Sequence, residues 1–246
     1  MQRDKRRSQS LSSPPNQAVV LVPTYNERNN IVGIVEAILA AAPVSVWILD
    51  DNSPDNTGEL ADELAASNPN VTAIHRPTKA GIGRAYLDAM EQALDAGYDK
   101  IIQMDADFSH PVDQLPVLLD LSSEYDLVVG SRWVEGGGTM HWGLHRRLLS
   151  RWGSFYARTI LGVPIRDMTS GMKCFNRRVL EAIDLQSVRA TGYAFQIEMT
   201  YRALCAGFRV FETPIHFVER TDGKSKMSKK IVFEAVWRVP WLKLKG

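Results

Sequence analysis

Residues 18–55, AVVLVPTYNERNNIVGIVEAILAAAPVSVWILDDNSPD, decide the fold of this chain. The segment has a continuously apolar run at 18–22, a helical pattern at 27–41 and a second apolar run at 45–49. Short, uninterrupted apolar runs are typical of strands that are buried on both faces, as the strands of parallel sheets are. The segment therefore predicts a strand–helix–strand unit, in which the loops after both strands lie at the same edge of a sheet.

The same alternation continues as far as Gly130. It predicts three more strands, at 71–75, 101–104 and 126–130, and three more helices, at 55–67, 81–96 and 112–121. Asp55 or Asn56 is expected as the N-cap of the first of these helices, and Gly97 follows the second as a C-terminal glycine commonly does. The pattern therefore predicts an α/β fold, with a mainly parallel central sheet and helices on both faces.

Beyond Gly130 the regular alternation is lost. We expect a flexible loop at the three glycines 136–138, followed by helices at 146–161, 175–183 and 195–206, a strand at 209–218, and a last helix from 227 to Pro240. The whole of 18–246 is expected to form one Rossmann-like domain that ends in a basic amphipathic helix.

The composition excludes several classes of protein. The chain has 246 residues, of which 45% are hydrophobic and 23% charged, which is ordinary for a globular domain and unlike a disordered or fibrous chain. Its two cysteines, Cys174 and Cys205, form no CxxC pair, so neither a disulfide scaffold nor a zinc site is expected. The apolar stretch 31–49 contains Glu36 and Pro43 and changes its period, so it predicts a core helix and a buried strand rather than a membrane span.

The formal net charge of +1 hides an uneven distribution. Residues 1–17 carry a net charge of +3, residues 18–219 carry −8, and residues 220–246 carry +6. An acidic body with basic ends is not typical of a duplex-DNA-binding protein, so no nucleic acid is expected as a partner. Residues 1–17 are polar and rich in serine, which predicts a flexible basic tail or linker. No apolar segment follows this basic start, so no secretory signal is expected.

Acidic residues follow three of the predicted strands. Glu27 comes after the first strand, Asp50 and Asp51 come after the second, and Asp105 and Asp107 come after the fourth. Converging carboxylates repel one another unless a cation joins them, and their oxygens suit Mg²⁺ or Mn²⁺, with phosphate oxygens completing the coordination. The spacing of Asp105 and Asp107 directs both side chains to one side of an extended segment, which favours a metal site over the alternative, a turn or helix cap.

Two common phosphate-binding motifs are excluded. Gly81 and Gly83 open a predicted helix, but Tyr86 stands where a dinucleotide fingerprint requires glycine or alanine. The run Gly223-Lys224-Ser225 ends like a P-loop, but a valine stands where the leading glycine would be. Nothing in the sequence therefore indicates a dinucleotide-binding enzyme or a P-loop NTPase.

Five short motifs occur in a characteristic order along the chain: PTYNE at 23–27, DDNSPD at 50–55, DAD at 105–107, GSR at 130–132 and RTDGKSK at 220–226. In this order they resemble the inverting GT-A glycosyltransferases of the family-2 type. Within that group the chain is similar to the dolichol-phosphate (polyprenol-phosphate) mannose synthases, over about residues 18–235. The resemblance implies a single GT-A domain.

The resemblance implies which residues bind the nucleotide of the donor. Pro23, Tyr25 and Glu27 would hold the base and the ribose. Leu49 and Asp51 would contact the nucleoside, with Asp51 accepting hydrogen bonds from the base or the ribose. All five residues lie at or just after the ends of the first two predicted strands, so one edge of the sheet would form the nucleoside pocket.

The resemblance also implies a metal and diphosphate site at the DAD motif. Asp105 and Asp107 would hold Mg²⁺ or Mn²⁺ together with the sugar diphosphate, and Ala106 would line the site. Relatives often carry glutamine two residues after the second aspartate, where this chain has Ser109. A direct amide contact to the metal or the donor is therefore not expected here.

Three basic residues complete the implied site. Arg132 would reach the phosphates of the donor or the acceptor, and Arg220 and Lys226 would close over the diphosphate. Asp107 and Arg132 are the two residues expected to act in catalysis. From the residues alone, an ion pair with a nearby aspartate is an equally good role for Arg132, and a solvated run of charge is the alternative for residues 220–230.

The implied reaction is the transfer of mannose from GDP-mannose to a polyprenyl phosphate. The acceptor phosphate is already an anion near neutral pH, so no catalytic base and no covalent enzyme intermediate are expected. A single displacement would invert an α-linked sugar nucleotide to a β-linked lipid-phosphate sugar. Two alternatives remain open on the residues: the same fold acting on UDP-glucose or another sugar nucleotide, and a non-catalytic nucleotide-binding membrane adaptor.

The C-terminal segment points to a membrane surface. Residues 227–245 combine basic residues with Trp237 and Trp241, which is typical of a helix in a membrane interface, although a final helix packed on the domain is an equally good interpretation. Trp133, Trp142 and Trp152 could likewise form an apolar surface for the acceptor or belong to the core. We expect a cytoplasmic protein that is peripherally associated with the cytoplasmic face of a membrane, through this segment or through a membrane-embedded partner.

Overall fold

The computed structural model describes residues 16–79, 81–190, 192–219 and 229–245. In the described part of the chain, a seven-stranded sheet has the strand order β3-β2-β1-β4-β7-β5-β8. The strands are β1 Ala18–Thr24, β2 Ser45–Asp50, β3 Val71–His75, β4 Lys100–Gln103, β5 Leu127–Ser131, β7 Lys173–Asn176 and β8 Val210–Pro214. All neighbouring pairs are parallel except those of β7, which runs antiparallel to both β4 and β5.

Helices cover both faces of this sheet. They are α1 Ile31–Ala41, α2 Thr57–Ser67, α3 Ile82–Asp95, α4 Leu115–Leu121, α5 Leu144–Leu161, α6 Arg177–Ala182, α7 Gly192–Cys205 and α8 Lys229–Lys245. Alternate strand residues enter two separate cores, as the two-residue period of a strand requires. Val19 and Leu21 pack with α3, α6 and α7, whereas Val20 and Val22 pack with α1 and α4. The predicted α/β architecture with helices on both faces is therefore confirmed.

A third core joins the last helices to the domain. It is built from buried residues of α5, α7 and α8, among them Ala157, Ile197, Val239 and Leu242. Pro240 does not end α8 as predicted, because the helix continues to Lys245. Proline cannot donate to the carbonyl four residues earlier, and here the hydroxyl of Tyr156 donates to that carbonyl of Val236 at 2.9 Å. A side chain from α5 thus replaces the hydrogen bond that Pro240 removes.

The prediction of a helix over 175–183 is wrong at its beginning. Phe175 lies in β7, and the helix there, α6, starts only at Arg177. Cys174 and Phe175 point into the two different cores, so this strand is apolar on both faces. Four residues are too few to show a period, and the antiparallel direction of β7 interrupts the βαβ rhythm on which the prediction depended.

The single strand predicted at 209–218 is two strands. β8 ends at Pro214, and β9 His216–Val218 pairs instead with β6 Gly138–Met140 in a separate two-stranded sheet. The predicted glycine loop at 136–138 therefore leads directly into a strand. Two helix starts also differ: α1 begins at Ile31 rather than 27, and α7 begins at Gly192 rather than 195.

The ends of the chain are described only in part. Residues 1–15 of the predicted tail and residues 220–228 lie outside the described residues. The carbonyl of Gln17 accepts hydrogen bonds from the backbone of Asp99 and Lys100, at 2.9 and 3.2 Å. None of the helices in the described ranges is long and apolar enough to cross a bilayer.

Candidate active site

The loops after β1 and β2 are joined by one buried carboxylate. Asp50 accepts hydrogen bonds from the hydroxyl of Thr24 at 3.1 Å and from the hydroxyl and backbone nitrogen of Ser53 at 2.5 and 3.0 Å. The hydroxyl of Ser53 in turn accepts from the backbone nitrogen of Asn26 at 3.1 Å. Asp50 therefore orders the two loops at this edge of the sheet.

The carboxylate of Asp55 performs the capping role predicted for position 55 or 56. It accepts from the backbone nitrogen of Thr57, the first residue of α2, at 3.1 Å and from its hydroxyl at 2.6 Å. Asn56 occupies the position before the helix, with a left-handed φ of 65° and no capping hydrogen bond from its side chain. Burial is the largest single influence on the pKa of Asp55 and would raise it. The hydrogen bonds from Thr57 and Arg28 together outweigh burial, so the pKa is lowered.

Asp51 is paired with an arginine that the sequence analysis did not select. The guanidinium of Arg76 donates to Asp51 and also reaches Asp88 at 3.2 Å. Arg76 follows β3 directly, and its backbone nitrogen donates to the carbonyl of Asp50 at 2.8 Å. Position alone could have found it, because the residue after each parallel strand lies at the ligand-binding edge.

The residues predicted to contact the nucleoside lie at the ends of β1 and β2 and in the loops that follow. Pro23 and Leu49 are register partners on β1 and β2, but the side chain of Leu49 is buried in the core. Tyr25 is half-buried, and the ammonium of Lys79 lies 3.5 Å from the centre of its ring, within the range of a cation–π contact. Glu27 accepts a hydrogen bond from the side chain of Asn30 at 2.9 Å.

The DAD motif forms a tight loop directly after β4. One oxygen of Asp107 accepts from the backbone nitrogen of Ser109 at 3.1 Å and from its hydroxyl. The ring nitrogen Nδ1 of His110 accepts from the backbone nitrogen of Asp105 at 3.0 Å. His110 is buried and Ala106 is buried between the two aspartates. Ser109 and His110 thus orient the loop from behind, a supporting role that the residue spacing alone did not assign.

The donor set of this loop fits a magnesium or manganese ion held mainly by substrate. Among the described residues, no group of three or more histidine, cysteine, aspartate or glutamate side chains is arranged to hold a metal. Asp105 and Asp107 would therefore supply the protein oxygens, and phosphate oxygens and water the remainder, as is usual for Mg²⁺. The fully buried Tyr86 beneath the loop has a strongly raised pKa, caused first by burial and then by the charges of Asp105 and Asp107.

Arg132 forms a buried ion pair with Asp167. Its Nε and Nη2 donate to the two oxygens of Asp167, both at 2.7 Å, and Nη2 also donates to Thr169 at 2.8 Å. Burial is the largest single influence on the pKa of Arg132 and would lower it, but the charge of Asp167, its hydrogen bond and smaller contributions that include Asp105 together raise the pKa. The ion pair that the sequence left open is therefore present. The guanidinium nitrogen Nη1 takes no part in these bonds.

Aromatic rings surround Arg132 on its outer side. The guanidinium carbon lies 5.5 to 5.6 Å from the ring centres of Trp133, Trp142 and Phe217. Arg146 of α5 stacks over Trp142 at 4.1 Å and donates to Glu219 at 2.8 Å. The structure thus brings most of the predicted residues to one edge of the sheet, but Arg220 and Lys226 lie outside the described residues.

Residues 19–184 match the model of the family described as Glycosyl transferase family 2. A polyprenol monophosphomannose synthase from Mycolicibacterium smegmatis is 45% identical over 236 residues, which cover 95% of this chain and 89% of that protein. An undecaprenyl-phosphate mannosyltransferase from Micrococcus luteus is 44% identical over 224 residues, which cover 91% of this chain and 92% of that protein.

A solved structure shares the architecture. Glucosyl-3-phosphoglycerate synthase from Mycobacterium tuberculosis, in complex with Mn²⁺, UDP and glucosyl-3-phosphoglycerate, is similar with a TM-score of 0.65 at 18% identity, over 90% of this chain and 79% of that one. At that identity the likeness concerns the fold alone. The family match and the two relatives that align with more than nine-tenths of the chain show that this protein belongs to glycosyl transferase family 2 and is a glycosyltransferase, as its motifs predict.

Proposed function

We propose that this chain transfers mannose from GDP-mannose to a polyprenyl phosphate, with Mg²⁺ or Mn²⁺ bound at the DAD motif. One observation carries the proposal: Asp105 and Asp107 lie at the same sheet edge as Tyr25 and Asp51, and Asp105 is close enough to the buried Arg132 to contribute to its raised pKa. We take the sugar, mannose, and the acceptor, a polyprenyl phosphate, from the names of the two relatives at 44% and 45% identity.

The reaction is a single displacement at the anomeric carbon of the sugar. An oxygen of the acceptor phosphate forms the new bond to that carbon, and the bond from the carbon to the nucleoside diphosphate breaks. The leaving diphosphate keeps the electron pair, and no proton moves because the acceptor is already ionised. Attack opposite to the leaving group inverts the α-linkage of the donor into the β-linkage of the product.

The side chains of this chain would bind and orient the two substrates. A divalent cation on Asp105 and Asp107 would neutralise the charge that develops on the leaving diphosphate. The Nη1 group of Arg132 is directed by its bidentate contact with Asp167, so it can meet a phosphate without reorganisation. Arg220 and Lys226 belong to the same proposal, as basic residues that close over the diphosphate.

The proposal predicts that Asp107→Asn abolishes transfer while the fold survives. Asparagine keeps the shape of the side chain and the contact with Ser109 but supplies no charge to a cation, so transfer should fall by more than about 100-fold. The assay incubates purified protein, labelled GDP-mannose, polyprenyl phosphate and Mg²⁺ or Mn²⁺, and counts label extracted with the lipid. Asp120→Asn, an exposed aspartate of α4, is the matched control. Unchanged transfer by Asp107→Asn would contradict the assigned metal site.

Competition by GDP and UDP separates the two donor hypotheses. GDP should inhibit the transfer more strongly than UDP, because the product nucleotide occupies the site of the donor. The opposite order would favour UDP-glucose or another uridine donor with the same acceptor. Nucleotide binding without turnover of any common sugar nucleotide would favour a non-catalytic adaptor.

We propose that α5 and α8 form the surface of the protein that contacts a membrane. The side chains of Leu144, Leu148 and Phe155 are more than half exposed along α5, which carries four arginines and no carboxylate. On the neighbouring α8, Trp237 is 78% and Leu244 85% exposed. Exposed apolar side chains interleaved with arginines are typical of a helix that lies in an anionic membrane interface. A peripheral position on the cytoplasmic face of a membrane follows from this proposal.

Vesicle binding tests the membrane proposal. The protein should co-sediment with vesicles that contain anionic phospholipid, and Leu148→Ser with Phe155→Ser should reduce this binding at least several-fold. The matched control is Val117→Ser, which removes an exposed apolar residue of α4. Equal binding by the α5 variant and the control would leave a membrane-embedded protein as the attachment partner.

A further inference from the structure

Gln196 is a buried polar residue that no motif of the sequence contains. It lies on α7 and is 5% exposed. The ammonium nitrogen of Lys173, on β7, donates to the backbone carbonyl of Gln196 at 2.7 Å and to its side-chain oxygen Oε1 at 2.9 Å. Lys173 itself is fully buried, so this pair is an internal polar contact and not a surface one.

The contact with Lys173 decides which way the amide of Gln196 faces. A protonated lysine can only donate hydrogen bonds, so with Lys173 charged the amide oxygen faces Lys173, as observed, and the amide nitrogen Nε2 faces the other way. Nε2 lies 3.9 Å from the position that a Cβ on Gly171 would take, and the ring of His110 lies 3.2 Å from the same position. A Cβ there would be crowded by the imidazole, so glycine keeps the space between the amide and the imidazole free of a side chain.

That space lies between the two loops of the proposed reaction centre. On one side, His110 is bonded to the backbone of Asp105 in the DAD loop. On the other side, Gly171 follows Ser170, whose hydroxyl donates to the carbonyl of Gly130 at 2.5 Å, two residues before Arg132. Within the described residues, none of the hydrogen bonds seen involves Nε2 of Gln196.

We propose that Nε2 of Gln196 donates a hydrogen bond to a hydroxyl group of the sugar in the donor nucleotide, and that Lys173 is the positioning residue that fixes the amide in this orientation. The inference rests on the proposed function. Phosphate groups are drawn to the cation at the DAD loop and to Arg132. A neutral amide suits a neutral hydroxyl, because it offers an N–H donor without attracting the diphosphate.

Two variants of Gln196 test the contact. Gln196→Glu keeps the partner of Lys173 but replaces the N–H donor by an oxygen, and Gln196→Leu removes the whole polar group. Each should weaken the binding of GDP-mannose by about 3- to 10-fold, the usual value of one neutral hydrogen bond, and leave the binding of GDP unchanged. Titration calorimetry with Mg²⁺ measures both ligands. The matched control is Met199→Leu, a buried apolar residue of α7 that belongs to the hydrophobic core.

The outcomes separate this inference from the function on which it rests. If the wild-type protein binds GDP but no sugar nucleotide of any kind, both the proposed function and this inference are wrong. If the wild-type protein binds GDP-mannose and the Gln196 variants bind it equally well, only the inference fails. Equal losses for GDP and GDP-mannose, or a change confined to the KM for polyprenyl phosphate, would also overturn it.

The role of Lys173 has its own test. Lys173→Met frees the amide to turn, so it should reproduce the selective loss for GDP-mannose, and the combination with Gln196→Leu should cause no further loss. Lys173→Arg keeps an N–H donor for the amide oxygen, so its loss of GDP-mannose binding should be smaller than that of Lys173→Met. A loss by Lys173→Met that is equal for GDP and GDP-mannose would assign the residue to packing alone.

Discussion

The two halves of the proposed active site hold their central buried carboxylates, Asp50 and Asp167, by different kinds of contact, although the nucleotide half also contains the ion pair of Asp51 and Arg76. In the nucleotide half, built from the loops after β1 and β2, the carboxylate of Asp50 accepts from the neutral hydroxyls of Thr24 and Ser53. In the transfer half, around Arg132 and Lys173, buried charges face one another or buried amides. A hydrogen bond to a charged group contributes about 1.5–3 kcal/mol, whereas a buried charge that loses its counter-charge costs about 3–5 kcal/mol.

The difference concerns function as well as stability. Under the proposed function, the nucleotide half would bind a base and a ribose, whose charge does not change during the reaction. The transfer half must accommodate a diphosphate, a cation and an anionic acceptor while the charge moves between them. A charged group that is already held in place by a buried partner can stabilise a moving charge without rearranging. Asp167 holds the guanidinium of Arg132 in this way.

The most damaging change should be Asp167→Asn in the transfer half. It leaves the charge of Arg132 buried without a counter-charge, which costs about 3–5 kcal/mol of the free energy of unfolding. Transfer should also be lost, because the guanidinium is no longer aimed by a carboxylate. Urea denaturation followed by fluorescence measures the first effect, and the lipid-extraction assay measures the second.

Asp50→Asn is the matched change in the nucleotide half. Asparagine keeps one oxygen as an acceptor and should cost only about 1–3 kcal/mol. A loss as large as that of Asp167→Asn would show that the two halves do not differ as described. A loss below 1 kcal/mol for Asp167→Asn would contradict the importance of the buried ion pair.

Lys173 gives the transfer half a distinctive pH dependence. Burial lowers the pKa of Lys173 to about 7, with Asp167 raising it and Arg132 lowering it less strongly. Above pH 7 the unfolded chain, with the ordinary pKa of 10.5, binds one proton more than the folded chain. Stability therefore rises with pH between these two values, by up to about 1.4 kcal/mol per pH unit.

The measurement compares the wild-type protein with Lys173→Met in urea at pH 7, 8 and 9. The difference between their free energies of unfolding should grow in favour of the wild type as the pH rises, since the variant lacks the group. Neutral lysine still has two N–H donors for Gln196, so the contact persists across this range. A constant difference would mean that Lys173 stays charged in the folded protein.

The same contrast explains what the sequence could predict. Several site residues lie in short motifs after the predicted strands, so position and residue type indicated Asp51, Asp105 and Asp107, and the family resemblance added Tyr25. Arg76, which follows β3 directly, could have been predicted by the same argument. The transfer half depends on Asp167, which is 35 residues from Arg132 and follows no predicted strand. It also depends on β7, whose four residues show no period and whose antiparallel direction breaks the alternation.

The smallest of the predicted effects concerns a contact still further apart in sequence. The hydroxyl of Tyr156 donates to the carbonyl of Val236, 80 residues away, where Pro240 has removed the helical donor. Tyr156→Phe should cost about 1 kcal/mol of the free energy of unfolding. In a Pro240→Ala background the helix regains its own donor, so the same change should cost clearly less. Equal costs in both backgrounds would show that the hydroxyl of Tyr156 does not act through the carbonyl that Pro240 leaves without a helical donor.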